Sequence, residues 1–245
     1  MPIGRAETLI KACFDDLEKA ETLIHHDPEI IYAKDGLGET ALHYLAVENQ
    51  IEAVKFLYEK GAGLNTVSEC GGTPLSEAAS LGYVELVSWL LENGARIDGE
   101  FGVGDPILHE AVRSGNAEIV KLLVEFGASI YAKNDLNESP LHASAADDDW
   151  LDITKYLIET GATIDEEGCS NDTPLLVAVL HGAVKTVKYL LSAGATLTVK
   201  DSKGRTPSQL ALECKHNELA NWLEATEAET YPNQTNSADA EKPRG

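Results

Sequence analysis

The sequence predicts an all-α solenoid of stacked helix–turn–helix units with β-turn fingers, forming a single elongated curved domain. Three observations predict it. Tetrapeptides beginning at Thr40, Thr73, Pro106, Ser139, Thr173 and Thr206 (TALH, TPLS, PILH, SPLH, TPLL and TPSQ) recur at steps of 33, 33, 33, 34 and 33 residues. A Gly-Ala pair at Gly61, Gly94, Gly127, Gly161 and Gly194 keeps the same step, and two markers in one period leave chance little room. Hydrophobic residues make up 43% of the chain but aromatics only 6%, so Leu and Ala carry the burial, which suits short helices packed closely together.

Each unit can be built from its residues. Thr or Ser followed by Pro opens a helix, the hydroxyl capping free backbone N–H groups and the proline occupying the first turn. A short helix follows, as over 75–80, and a tight turn at Gly82, Gly115 or Gly182 closes it. A second helix carries apolar residues at helical spacing: Val84, Val87, Leu90 and Leu91 in one unit, Ile119, Val120, Leu122 and Leu123 in the next. The glycine of Gly-Ala ends that helix in the left-handed conformation. About ten residues rich in Asp, Asn and Gly then lead to the next cap, as a β-turn finger requires.

This pattern resembles the ankyrin repeat, whose consensus reads D-x-x-G-x-T-P-L-H-x-A-A…G…V-x-x-L-L…G-A. Asp35-Gly36-Leu37-Gly38-Glu39-Thr40-Ala41-Leu42-His43 and Asp201 through Pro207 match it best, and the resemblance covers roughly residues 35–225. Residues 3–34 fit a degenerate capping unit with helices around 6–14 and 17–25 and a turn at Asp27-Pro28. The last unit loses its Gly-Ala at Ala225-Thr226 and gains Lys215, Asn217 and Glu218, as a polar cap should. The expected organisation is therefore a capping unit over 1–34, five full repeats over 35–202, a capping repeat over 203–226 and a disordered tail over 227–245.

Three departures mark particular units. Phe101 stands where the family's finger Asp is expected, and Pro106-Ile107 replaces Thr-Pro, removing the cap hydroxyl. Ser76 and Leu176 replace the motif histidine. One extra residue lies within Ala146-Asp147-Asp148-Asp149-Trp150, between the two helices of the fourth unit.

The 41 acidic and 19 basic residues give a formal charge of −22, which repels nucleic acid and anionic lipid and favours a basic partner. Cys13, Cys70, Cys169 and Cys214 show no CxxC or CxxH spacing and read as reduced thiols. With no signal peptide and no apolar run of membrane-spanning length, a cytoplasmic protein that is monomeric when unbound is expected.

The histidines do not suggest chemistry. His43, His109 and His142 are the motif histidines, and the ankyrin resemblance implies that they join neighbouring loops by hydrogen bonds. Equivalent positions in stacked units would lie about 10 Å apart, too far to share a metal. Asp147-Asp148-Asp149 lacks the further oxygens of a calcium loop and reads as a solvated acidic loop. Gly102-Val103-Gly104 lacks the rest of a dinucleotide fingerprint, and no GxSxG, HExxH or kinase signature occurs. No enzyme, cofactor or metal is expected. A recurrent position on the second helices, mostly aromatic (Phe56, Trp89, Leu122, Tyr156, Tyr189 and Trp222), reads as packing between repeats.

The resemblance implies that a protein partner binds the concave surface formed by fingers and first helices. The candidate contacts at finger tips and their approaches are Leu37, Glu39, Glu69, Glu100, Phe101, Val103, Asp105, Asp135, Leu136, Glu138 and Asp172. The first helices and the turn after the fourth add Tyr44, Glu48, Glu77, Glu110, Arg113 and Asp147. Acids dominate this set, so the negative charge is expected to concentrate on the concave side, with Phe101 as the leading apolar anchor. Two functions compete: an adaptor or scaffold, and an immunity- or antitoxin-type inhibitor that occludes the active site of a basic toxin or enzyme.

Overall fold

The computed structural model describes residues 4–97 and 106–230, and among these the chain is entirely helical and turn-forming, with no strand. Helices α1 (Arg5–Asp15) and α2 (Leu17–His26) form the first pair, followed by a 3-10 turn over Pro28–Tyr32. The next pairs are α3 (Ala41–Val47) with α4 (Ile51–Glu59), α5 (Pro74–Ser80) with α6 (Val84–Glu92), and α7 (Ile107–Arg113) with α8 (Ala117–Glu125). Then come α9 (Pro140–Ser144) with α10 (Leu151–Glu159), α11 (Pro174–His181) with α12 (Val184–Ser192), and α13 (Pro207–Glu213) with α14 (Asn217–Thr230). The chain falls into two compact units, Met1–Asn134 and Asp135–Gly245.

The helix starts follow the local chemistry. Thr73 Oγ1 accepts the Ser76 N–H at 3.1 Å, while the Ser76 hydroxyl accepts the Thr73 N–H at 2.8 Å, a reciprocal cap that needs no histidine. Pro106 caps α7 without a side-chain bond, as its lack of a hydroxyl requires. Second helices end at glycines in the left-handed region, among them Gly61 (φ 100°) and Gly161 (φ 109°), where a Cβ would be strained. Helix α14 continues through Thr230, past the boundary at 227 where the tail was expected to begin.

Stacking explains the small residues. In the first unit α3 packs on α5 and α5 on α7, and their facing residues Ala46, Ala79, Ala78 and Ala111 are fully buried. The second helices contribute Val54 and Leu57, Val87 and Leu90, and Val120 and Leu123 at one register, also fully buried. Short Ala side chains allow the first helices to approach closely, and branched residues fill the wider gap between second helices. The recurrent aromatic position is half-buried at every unit, and Trp89 meets Tyr58 edge-on at 5.4 Å, as packing between repeats predicts.

In the second unit two polar residues occupy core positions of the second helices. Thr154 replaces a valine and is fully buried, its hydroxyl 3.0 Å from the Ser144 carbonyl and 3.1 Å from the Ser144 hydroxyl. Thr186 replaces Leu or Ile and is also fully buried. Its hydroxyl and N–H donate to Asp148 Oδ1 at 3.1 and 2.9 Å, and the Lys185 N–H donates to Oδ2 at 3.1 Å. Asp148 is therefore not simply part of a solvated acidic loop. The inserted residue creates a 3-10 turn, Asp148–Trp150, that carries this carboxylate to the N-terminus of α12.

Candidate functional site

The fingers are closed by one repeated backbone bond. The N–H of Asp35, Ser68, Gly168 and Asp201 donates to the carbonyl four residues ahead, at 2.8–3.1 Å. Adjacent fingers are joined laterally within each unit: Glu69 N–H to Leu37 O at 2.8 Å in the first, and Cys169 N–H to Leu136 O at 3.1 Å in the second. Asn137 and Asn171 take the left-handed turn position (φ 56° each) that glycine fills in other fingers.

Motif histidines tie first helices to the next finger. His43 Nδ1 accepts the Thr40 N–H at 3.1 Å, and its Nε2–H donates to Gly72 O at 3.3 Å. His142 repeats this with Ser139 N–H at 3.2 Å and Asp172 O at 3.1 Å. Both rings are almost fully buried. Burial lowers the His43 pKa, keeping the ring neutral with its proton on Nε2.

The candidate contacts can be placed on this scaffold. In the first unit Leu37, Glu48, Glu69 and Arg113 are exposed, and Glu39, Tyr44, Glu77 and Glu110 are half-buried. In the second, Asp135, Leu136 and Asp147 are exposed, and Glu138 and Asp172 half-buried. Glu100, Phe101, Val103 and Asp105 lie outside the described residues.

Several of these side chains serve the fold. The Tyr44 hydroxyl donates to Asp35 Oδ2 at 2.6 Å, which pushes the phenol well above its usual pKa. Burial alone would raise the Asp35 carboxyl, but hydrogen bonds from Tyr44, Glu39 and Leu37 outweigh it and hold the group below the usual range. Asp147 Oδ1 caps the 3-10 turn by accepting the Asp149 N–H at 2.9 Å. Arg113 pairs with Glu110 at 2.6 Å, so that carboxylate is partly compensated.

Two groups of carboxylates act on one another. Glu77 lies on the exposed side of α5, and burial, then Glu39 and Glu110, raise its pKa. In the second unit burial, then Asp201 and Glu138, raise Asp172, while His142 and Arg205 act in the opposite sense. Both sets hold negative charge at a cost in self-repulsion, which a cation would relieve.

The expected concentration of charge on one side needs correction. Second helices carry exposed acids too: Glu52 and Glu59, Glu85 and Glu92, Glu118 and Glu125, and Asp152 and Glu159. Second-helix lysines help to offset these, with Lys55 3.0 Å from Glu52 and Lys155 3.0 Å from Asp152. A helix start favours acids on any face, which accounts for Glu52, Glu85, Glu118 and Asp152, while Glu59, Glu92, Glu125 and Glu159 close their helices; a count of acids along the sequence therefore does not locate the field.

Sequence reasoning also missed part of the inner face. At the register of Glu77 and Glu110 the second unit has Ala143 and Val177, and three residues further on Ala146 and Leu180. The first three are half-buried and Leu180 is 47% exposed. Reading each unit by offset from its Thr-Pro-Leu-His frame would have found them. Among the described residues no group of His, Cys, Asp and Glu could hold a metal ion, and no helix is long and apolar enough to cross a membrane.

A family model of ankyrin repeats matches residues 9–100, 108–201 and 167–236. The chain belongs to the ankyrin-repeat family. The crystal structure of the human ASB11 ankyrin repeat domain superposes with a TM-score of 0.76 at 28% identity, covering 88% of this chain and 96% of that one. The mouse (Mus musculus) palmitoyltransferase ZDHHC13 is 42% identical over 62 residues, 25% of this ankyrin-repeat chain and only 10% of the mouse protein. Ankyrin repeats generally mediate protein–protein interaction and are typically non-enzymatic, which agrees with a surface of fingers and first helices built to present side chains.

Proposed function

We propose that this ankyrin-repeat protein is a cytoplasmic binding module for a basic protein, acting as an adaptor or scaffold through its fingers and first helices. The observation that carries this reading is the Glu39–Glu77–Glu110 set. Burial and mutual repulsion raise the Glu77 pKa, so an arriving Lys or Arg would relieve an unfavourable field. Charge of this kind steers and orients encounter, while affinity comes from a few apolar anchors. The free cysteines, two of them exposed, suit a reducing compartment.

The test is capture from native extract at low and high salt, followed by binding to purified candidates. Salt-sensitive, saturable binding of one basic protein that falls with Glu77→Gln supports the reading; salt-independent binding, or binding of an acidic protein, overturns it. If the captured protein is an enzyme or toxin, a one-to-one loss of its activity identifies the inhibitor of the immunity type instead of the adaptor.

A further inference from the structure

The last helix pair departs from the rest of its unit at two positions that meet in space. In the earlier pairs Gly161 (φ 109°) and Gly194 (φ 103°) end the second helix in the left-handed region. Glu227 stands 33 residues after Gly194, so the terminating glycine is lost there and not at Ala225-Thr226. Without it α14 runs on through Thr230. On the first helix, the leucine two residues after the cap is fully buried in Leu141 and Leu175. In α13 that position is Ser208, which is half-buried.

The two exchanges are coupled. The Ser208 hydroxyl donates to Glu227 Oε2 at 3.1 Å and lies 3.0 Å from the Thr206 hydroxyl, the cap of α13. This hydroxyl pair can serve either protonation state. Ser208 can donate to a carboxylate while accepting from Thr206, or accept from a carboxylic acid while donating to Thr206. Glu227 Oε1 is served in neither case, being shielded from water with no hydrogen-bond partner. An unpaired oxygen in such a place is tolerated far better when it carries no charge.

The charges around the group do not reverse this. The acid of α13, Glu213, is engaged by Arg205. From α14 itself Glu224, one turn back, repels a charged Glu227. Burial is the largest influence and raises the Glu227 pKa; the Ser208 hydroxyl and N–H oppose it, Glu224 adds to it, and the net direction is upward.

We propose that the last turn of α14 is a pH-sensitive latch on the first turn of α13, closed on a protonated Glu227 and loosened when that carboxyl ionises. The docked state binds the proton more tightly than the released one. Its advantage is therefore complete below the ordinary carboxylate pKa and is lost as pH rises through the raised value. Release frees the end of α14 while the repeats stay folded. The latch does not depend on what the fingers and first helices bind.

The test is hydrogen exchange of the full chain at pH 4 and 7, each amide corrected for its intrinsic rate at that pH. Protection over residues 224–230 should fall about three- to ten-fold on going to pH 7, and by more than protection of α12. Glu227→Gln keeps a group that can bond Ser208 without charge, and should hold its pH 4 protection at pH 7. Glu224→Gln should move the midpoint of the fall to lower pH, whereas Glu229→Gln should leave it in place. Ser208→Ala should lower protection at both pH values. A fall that persists in Glu227→Gln, or no fall in the parent, overturns the proposal. So does a fall that Glu229→Gln removes equally well, since any charge at the helix end would then suffice, or a Ser208→Ala variant as protected as the parent.

Discussion

Removing the Asp148 carboxylate tests how the fourth repeat accommodates its extra residue. In Asp148→Ala the Lys185 and Thr186 N–H groups lose their acceptor, and the fully buried Thr186 hydroxyl loses the same partner. A lost N-terminal cap costs about 1 kcal/mol, and a buried hydroxyl left without its bond about 1–3 kcal/mol. Water can reach the half-exposed site and recover part of this, so the expected loss is about 2–3 kcal/mol. In a chain of this size that is a fall of roughly 5–10 °C in melting temperature.

The assay is urea denaturation followed by helical circular dichroism, with Asp149→Ala as the control, because the Asp149 side chain is exposed. The control should stay within about 0.5 kcal/mol of the parent. Thr186→Val should cost less in the Asp148→Ala background than in the parent, because the hydroxyl there has already lost its acceptor. Equal effects of the two aspartate substitutions, or additive effects of Asp148→Ala and Thr186→Val, would refute the assignment of Asp148 as a cap.

Other consequences can be measured in the same way. The folded Glu77 pKa lies above its unfolded value, so the folded state binds more protons in the interval just above the usual carboxylate pKa, and stability falls as pH rises through it. Glu77→Gln should flatten that fall and, at pH 7, stabilise the protein by a few tenths to about 1 kcal/mol, read from urea midpoints at pH 4 and 7. His142→Ala removes the bonds to Ser139 N–H and Asp172 O and opens a cavity, and about 2–4 kcal/mol of stability should go with it, measured by denaturation. Cys70 and Cys169 are exposed, whereas burial pushes the Cys13 thiol up to about 12. A thiol reagent at pH 8 should therefore modify the first two rapidly and Cys13 only on unfolding, as mass spectrometry of the labelled peptides would show. Phe101→Ala should weaken partner binding by roughly 1–3 kcal/mol while barely moving the melting temperature, checked by calorimetry on the captured partner.

Much of the architecture was legible because its determinants are local. Thr-Pro sets a helix start, Gly-Ala a helix end, and a 33-residue step with one insertion says that the same solution is used again. The motif histidines were legible for the same reason, since His43 and His142 reach only three residues back and one finger ahead. The candidate surface was legible as a set of positions. Which of those residues hold the fold was not: Tyr44 bonds Asp35, Asp147 caps a turn, and Arg113 pairs with Glu110.

The sequence by itself determined the repeat, its capping and its overall acidity, because each depends on contacts within a unit or on a simple sum. Only the tertiary structure decided which carboxylates act on one another and why Thr154 and Thr186 can stand in the core. Those outcomes depend on side chains from adjacent repeats, separated by some 30 residues and joined only by stacking: Asp148 meets Thr186, and Glu39 acts on Glu77. Burial then turns each meeting into a strong effect, since a charge or hydroxyl withdrawn from water must find its partner within the protein.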